Sequence, residues 1–320
     1  MVSEYNQGKK VELEKIIGKL SARSPIYPVS GKKFIDEVSV SNDSANILGL
    51  ELTGFLDRYV EGRIHILSVR GFNYLNSLKK SLKQKNISEL FSYDISALII
   101  TDGIEAGDNI KKLSEANGVP VFETEEEYPV FIKNINGVLE KLFAPVKDYQ
   151  GTMMEVFGVG VMLTGKSNVG KSECAIDLLQ RGHRMIGDDV VSVTRRGDGV
   201  VLVRGKYPIA SRMELRGVGI IDIVRLMGIS SVEEIKKVEL IINLERWIEG
   251  KEYERLGIEE KTKKILDVPI SYVEVPISPG RNSAIMVEVA TMNYRLRRQG
   301  IITGSELERQ VLEELKNEGI

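Results

Sequence analysis

The stretch "MLTGKSNVGKSECAIDLLQRGHRMIGDDVV", residues 162–191, constrains the fold more than any other part of the chain. An apolar run leads into a turn punctuated by Gly165 and Gly170, and a segment with helical spacing follows as far as Gln180. Gly182 stands where a left-handed stop residue is expected, and the chain then resumes as an apolar run with two adjacent carboxylates, Asp188 and Asp189. Strand, glycine turn, helix and strand in that order argue for an α/β architecture. Gly165, Gly170, Lys171 and Ser172 fill the pattern G-x-x-x-x-G-K-[ST], with Lys166, Ser167, Asn168 and Val169 between the glycines. In such a loop the backbone N–H groups turn toward phosphate oxygens and the helix start adds partial positive charge. The lysine reaches the terminal phosphates, and the hydroxyl ligates magnesium. Residues 165–172 therefore predict a cradle for a nucleotide's phosphates with Mg²⁺. Asn168 tolerates the left-handed backbone such a loop needs, and Lys166 is an extra cation within it.

Asp188 and Asp189 follow Lys171 at a distance that returns the next strand to the side of the cradle. The alternation of that strand points one carboxylate at the site and the other at a supporting contact. The residues alone leave two readings open. One carboxylate takes a proton from an attacking hydroxyl, or the pair is a metal-holding or merely polar strand end.

The totals narrow the rest. A chain of 320 residues supports about two domains. With 44 basic against 46 acidic residues it lacks the positive excess that binds nucleic acid. No apolar run approaches the ~20 residues of a membrane span, and "MVSEYNQGKKVELEKII" lacks a signal-peptide pattern, so no membrane partner and a cytoplasmic location are expected. Cys174 is the single cysteine, and His65 and His183 are the only histidines, so a metal here should be a hard cation on oxygen ligands.

In the first half, "SALIITDGIEAGDNIKKLSEANGVPVFET" reads as strand, helix and parallel strand. Residues 130–143 predict a helix, and "APVKDYQG" reads as a linker, giving domains 1–146 and 147–320. In the second half, "GDG" turns a hairpin between two β-branched runs, "SAIMVEVATMNYRLRRQG" is helical, and "SELERQVLEELKN" opens on a capping box of Ser305 and Glu308. Cys174 reads as a packed residue, His183 as a cap on helix carbonyls or a partner of the helix end, and Ile285, Val289, Met292 and Leu296 as a packing face. Arg295, Arg297 and Arg298 form a basic cluster that reads as a solvated face, with an acidic partner surface as the alternative.

Five segments, "VFGVGVMLTGKSNVGKSE", "RGHRMIGDD", "MELRGVGIIDI", "KEYERLG" and "VPISPGRNSAIMVEVATMNYRL", resemble in order and spacing the HPr kinase/phosphorylase family. These bacterial enzymes phosphorylate a serine of the phosphocarrier protein HPr in carbon catabolite regulation and reverse that reaction with inorganic phosphate, releasing pyrophosphate. The resemblance spans nearly the whole chain. It implies an N-terminal αβα domain of undefined role and a phosphate-loop, carboxykinase-like kinase domain that assembles as a homohexamer. It further implies Lys171 on the phosphates, Ser172 and Glu214 on magnesium, and Asp189, beside Asp188, as base for phosphorylation and acid for the reverse step. Arg255 matches a catalytic arginine, and Pro276, Ile277, Ser278, Pro279, Gly280 and Arg281 match the loop linked to dephosphorylation.

The chain departs from the family where Gln150 replaces a histidine upstream of the loop lysine, where Ser278 replaces an arginine, and at Lys166 and Asn168 within the loop. Glutamine carries neither proton nor charge, and serine lacks the guanidinium fork, so the expectation is retained kinase activity with weakened phosphorolysis. Two other readings remain open at this stage: a phosphate-loop kinase of small molecules, and a nucleotide-binding regulator without catalysis.

Overall fold

The structure, a computed structural model, describes residues 8–57, 59–206, 209–251, 253, 260–278 and 282–302. Arg255, Pro279, Gly280, Arg281, Ser305 and Glu308 lie outside the described residues. The chain divides into two compact units at the Ala144–Pro145 junction.

In the first unit, β-branched runs with turn residues at their ends form a five-stranded sheet. Arg63–Leu67, Ile95–Ile100 and Val121–Glu123 lie parallel, and Tyr27–Ser30 adds antiparallel at one edge. Ile95–Ile100 is buried along its whole length because helices cover both faces. Leu13, Ile16, Phe131 and Ile135 pack with Ile64, Ile66 and Ile99 on one side. Leu75, Ile87, Leu90 and Ile110 pack with Leu67, Leu98 and Ile100 on the other. This is the expected αβα layering.

The second unit is built on a six-stranded sheet. Thr152–Val156 and Val159–Thr164 form an antiparallel hairpin; Val159–Thr164 then pairs parallel with Leu240–Arg246, which pairs parallel with Val268–Ile277. Alternation decides what each face meets. Met154, Val156, Val161 and Leu163 face the helix Lys171–Gln180 and its core neighbours Cys174, Ala175 and Leu178. Met153 and Met162 face a second, four-stranded sheet through Val191, Val193, Val201 and Val203. The expected hairpin is present as Val190–Arg195 against Val201–Gly205, with Gly199 at positive φ in its turn. The helix Ser283–Arg298 is also present, capped by the Asn282 side chain accepting from the Ile285 N–H at 3.1 Å.

Two expectations are corrected. "APVKDYQG" is not a linker: Val146–Gln150 is an edge strand of the four-stranded sheet, antiparallel to Val190–Arg195. An edge strand exposed on most of its side chains shows no apolar alternation, and Pro145 just before it needs no ladder N–H. The stripe Ile285, Val289, Met292 and Leu296 is exposed rather than packed; Ala284, Val287 and Thr291 form the buried face of that helix. Among the described residues no helix is long and apolar enough to cross a membrane.

Candidate active site

The cradle sits at the carboxyl ends of parallel strands, the edge at which open α/β sheets bind ligands. Val159–Thr164 ends in Gly165, whose φ of 143° and closeness to the neighbouring strand exclude other residues: a Cβ there would stand 2.3 Å from the Leu244 carbonyl oxygen. Val169 is buried and anchors the loop to the core, whereas Lys166, Ser167 and Asn168 are exposed. Asn168 adopts the left-handed backbone anticipated for it, with φ 66°. Gly170 at φ 102° starts the helix Lys171–Gln180. Lys171 Nζ donates to the Gly165 and Lys166 carbonyls, each at 3.3 Å, which holds the ammonium over the loop.

Residues 165–169 line a cavity of about 900 Å³ together with Gln150, Asn243, Glu245, Arg246, Lys263 and Lys264. Arg246, Lys263 and Lys264 add positive charge to its wall and were not singled out from the sequence. Only the sheet order brings the strands Leu240–Arg246 and Lys261–Ile265 to the cradle. Near the same edge, Glu245 and Glu274 both pair with Lys251, and Tyr272 Oη donates to Glu274 at 3.2 Å. Burial first, and Glu274 second, push the Tyr272 phenol up to about 12.

Asp188 and Asp189 are not strand residues. They form the connection between Arg184–Gly187 and Val190–Arg195. Asp189 has φ 63°, and the Val190 N–H donates to the Asp188 carbonyl at 2.8 Å, closing a tight turn centred on Asp189. The two side chains diverge because of this turn rather than through strand pleating. Asp188 is buried and its carboxylate accepts from Ser172 Oγ at 3.0 Å and from Thr152 Oγ1 at 2.5 Å. Asp189 is exposed and is held through its backbone, its carbonyl accepting from the Gly151 N–H at 3.0 Å. Gln150 pairs in register with Val190, which places it beside Asp189.

The remaining predicted residues are placed as follows. Glu214 lies on the exposed side of the hairpin Arg212–Leu215 with Gly219–Asp222, opposite Ile220. The other side of that hairpin anchors through Met213 in the core shared with Cys174 and Leu178. Among the described residues Glu214 makes no hydrogen bond to the cradle. Pro276 and Ile277 end the strand Val268–Ile277 rather than lying in a loop, and Ser278 follows it. The Ile277 side chain comes within 4.0 Å of where a Gly170 Cβ would stand.

His183 caps a carbonyl at the helix end, as its place after Gly182 predicts: its backbone N–H donates to the Leu178 carbonyl at 3.1 Å, while the ring bonds Glu288 of the helix Ser283–Arg298 at 3.0 Å. Cys174 is fully buried, and burial raises its thiol to about 11. Among the described residues no cluster of three or more His, Cys, Asp or Glu is placed to hold a metal ion.

A phosphate-loop cradle at the carboxyl edge of an α/β sheet, flanked by two acids, defines the class. Sequence comparison defines the family. The profile of the HPr Serine kinase C-terminal domain matches residues 141–311, and that of the HPr Serine kinase N terminus matches residues 11–139. A protein named HPr kinase/phosphorylase from Leptospira biflexa is 41% identical over 270 residues, which are 82% of this chain and 84% of that protein. HPr kinase/phosphorylase 1 of Oceanobacillus iheyensis is 35% identical over 279 residues, 87% of this chain and 89% of its own. A solved structure described as the Hpr(Ser) kinase/phosphatase from Coxiella burnetii is 28% identical with a TM-score of 0.45, covering 48% of this chain and 93% of that one. The chain belongs to the HPr serine kinase family.

Proposed function

We propose that this protein is an ATP- and Mg²⁺-dependent kinase that phosphorylates a serine of HPr, and that it also runs the reverse phosphorolysis at a reduced rate. The observation that carries the reading is the placement of Asp189, exposed on a tight turn, beside a glycine cradle whose Ser172 is bonded to Asp188.

The donor set fits the group it would hold. Ser172 Oγ and the Asp188 carboxylate are hard oxygens, suited to a cation that takes few protein ligands and completes its shell with phosphate and water. When bound, Mg²⁺ neutralises charge on the terminal phosphates. Lys171 exchanges its contacts to the Gly165 and Lys166 carbonyls for phosphate oxygens. Loop amides and the start of the helix Lys171–Gln180 orient the nucleotide, with Lys166, Arg246, Lys263 and Lys264 around the cavity attracting its charge. Asp189 takes the proton of the incoming serine hydroxyl and returns it in the reverse step. Glu214 as a second metal ligand and Arg255 as a stabiliser of the transferred phosphoryl rest on the family resemblance.

Gln150 beside Asp189 can donate a hydrogen bond but cannot move a proton or hold charge. Ser278, just past the strand that reaches the cradle, offers no guanidinium to inorganic phosphate. Both losses bear on the reverse reaction. The exposed stripe Ile285, Val289, Met292 and Leu296 provides apolar surface for assembly into a homohexamer.

Labelled ATP, Mg²⁺ and HPr separated by thin-layer chromatography test the reading, with transfer to HPr expected and none to a panel of metabolites. Transfer to a metabolite instead would make this a small-molecule kinase, and nucleotide binding without transfer would make it a regulator. Incubating serine-phosphorylated HPr with inorganic phosphate should release pyrophosphate slowly. Restoring histidine by Gln150→His should speed that release with little change in the forward rate.

A further inference from the structure

We infer that Thr152 is a positioning residue of the reaction, because its hydroxyl fixes the Asp188 carboxylate and thereby aims Ser172 at the metal position. The inference rests on the proposed function and adds a residue to the same site.

Thr152 begins the strand Thr152–Val156 and is fully buried. Strand alternation puts it on the same face as Met154 and Val156, which both lie in the apolar core beneath the helix Lys171–Gln180. A hydroxyl on that face needs a partner. Thr152 Oγ1 donates to Asp188 Oδ1 at 2.5 Å, and Asp188 Oδ2 accepts from Ser172 Oγ at 3.0 Å. The carboxylate is thus spanned by two hydroxyls, one from the sheet and one from the first turn of the cradle helix.

The direction of these bonds matters. Because the Ser172 hydroxyl donates its hydrogen bond to Asp188, the oxygen lone pairs of Ser172 remain for a cation. Because Thr152 occupies Oδ1, Asp188 cannot rotate away without leaving a buried hydroxyl unpaired. The neighbouring Gly151 N–H holds the Asp189 carbonyl at 3.0 Å, so the two residues Gly151 and Thr152 orient both acids. Outer partners of this kind tune metal affinity by fixing the groups that touch the ion.

The test uses Mn²⁺ as a paramagnetic stand-in for Mg²⁺, titrated by electron paramagnetic resonance into the full chain with saturating ADP. Thr152→Val should weaken Mn²⁺ binding about tenfold, the scale typical of lost outer partners, while metal-free ADP binding stays unchanged. Thr152→Ser, which keeps the hydroxyl, should bind Mn²⁺ as the parent does. Equal Mn²⁺ affinity in Thr152→Val and the parent would overturn the inference, as would a Thr152→Ser variant as weak as Thr152→Val. Circular dichroism checks the fold. Should the valine variant not fold, Thr152→Ser and Thr152→Ala differ by the hydroxyl alone and carry the same comparison. A parent chain that binds Mn²⁺ and ADP without phosphorylating HPr, yet loses the metal in Thr152→Val, would sustain the inference and sink the proposed function. A chain that phosphorylates HPr with Mn²⁺ affinity indifferent to position 152 would do the reverse.

Discussion

Adjacent acids at the proposed site have different surroundings, which suit them to different work. Asp188 is buried between two hydroxyls, whereas Asp189 is exposed on a left-handed turn where an approaching hydroxyl can meet it. The pattern around Lys171 was legible because a phosphate loop is a local device, written in consecutive residues. Thr152 was not, because its partner Asp188 is distant in sequence and only the sheet brings the two together. Cys174, read as a packed residue on the helix after the cradle, is fully buried. With its thiol buried and raised to about 11, iodoacetamide at pH 8 should leave it unlabelled in the native protein and modify it after denaturation. His65 is 1% exposed, stacks on Tyr59 and bonds Asn46 and Tyr59; burial lowers it to about 4 from an ordinary 6.5. Its folded value lies below its unfolded one, so its stability contribution is complete above about pH 6.5 and is lost as pH falls toward about 4. The difference is worth about 3 kcal/mol over that window. Urea midpoints measured from pH 7 to pH 4.5 should fall less steeply in His65→Gln than in the parent.

The cradle is where element geometry sets sequence most tightly. Gly165 lies at φ 143° against the Leu244 carbonyl, a contact that exists only because Val159–Thr164 and Leu240–Arg246 run parallel side by side. Gly165→Ala should destabilise the chain by about 3 kcal/mol, combining backbone strain with overpacking, and should weaken ATP binding measured by calorimetry. A variant as stable as the parent with unchanged binding would show that the cradle does not need this turn. Elements with strong internal periodicity were legible: the helix Lys171–Gln180, the hairpin Val190–Arg195 with Val201–Gly205, and the strand–helix–strand unit ending at Val121–Glu123. Val146–Gln150 was not, because an edge strand with four of its five residues exposed looks like a polar connection until its partner is known. The outward stripe on Ser283–Arg298 was misread for a related reason: helical spacing identifies a face, but what lies opposite that face is a tertiary fact.

At the scale of the whole molecule, two cores of different construction lie in one chain: a sheet between two helical layers, and a sheet packed against helices on one side and a second sheet on the other. The apolar stripe Ile285, Val289, Met292 and Leu296 is exposed, as a surface for the proposed hexamer must be in a single chain. Light scattering should give a mass near six times the 35.7 kDa chain, and Val289→Glu should lower it. A monomeric parent would contradict the proposed hexamer. The central claim is that the cradle and its neighbouring acid move phosphate to a protein serine. Its most direct measurement is transfer from labelled ATP to HPr by the parent chain beside Lys171→Ala and Asp189→Asn. Labelled HPr with the parent, and at least about a hundredfold less with either variant, is the predicted result. Unlabelled HPr with the parent, or undiminished transfer by Asp189→Asn, would contradict it.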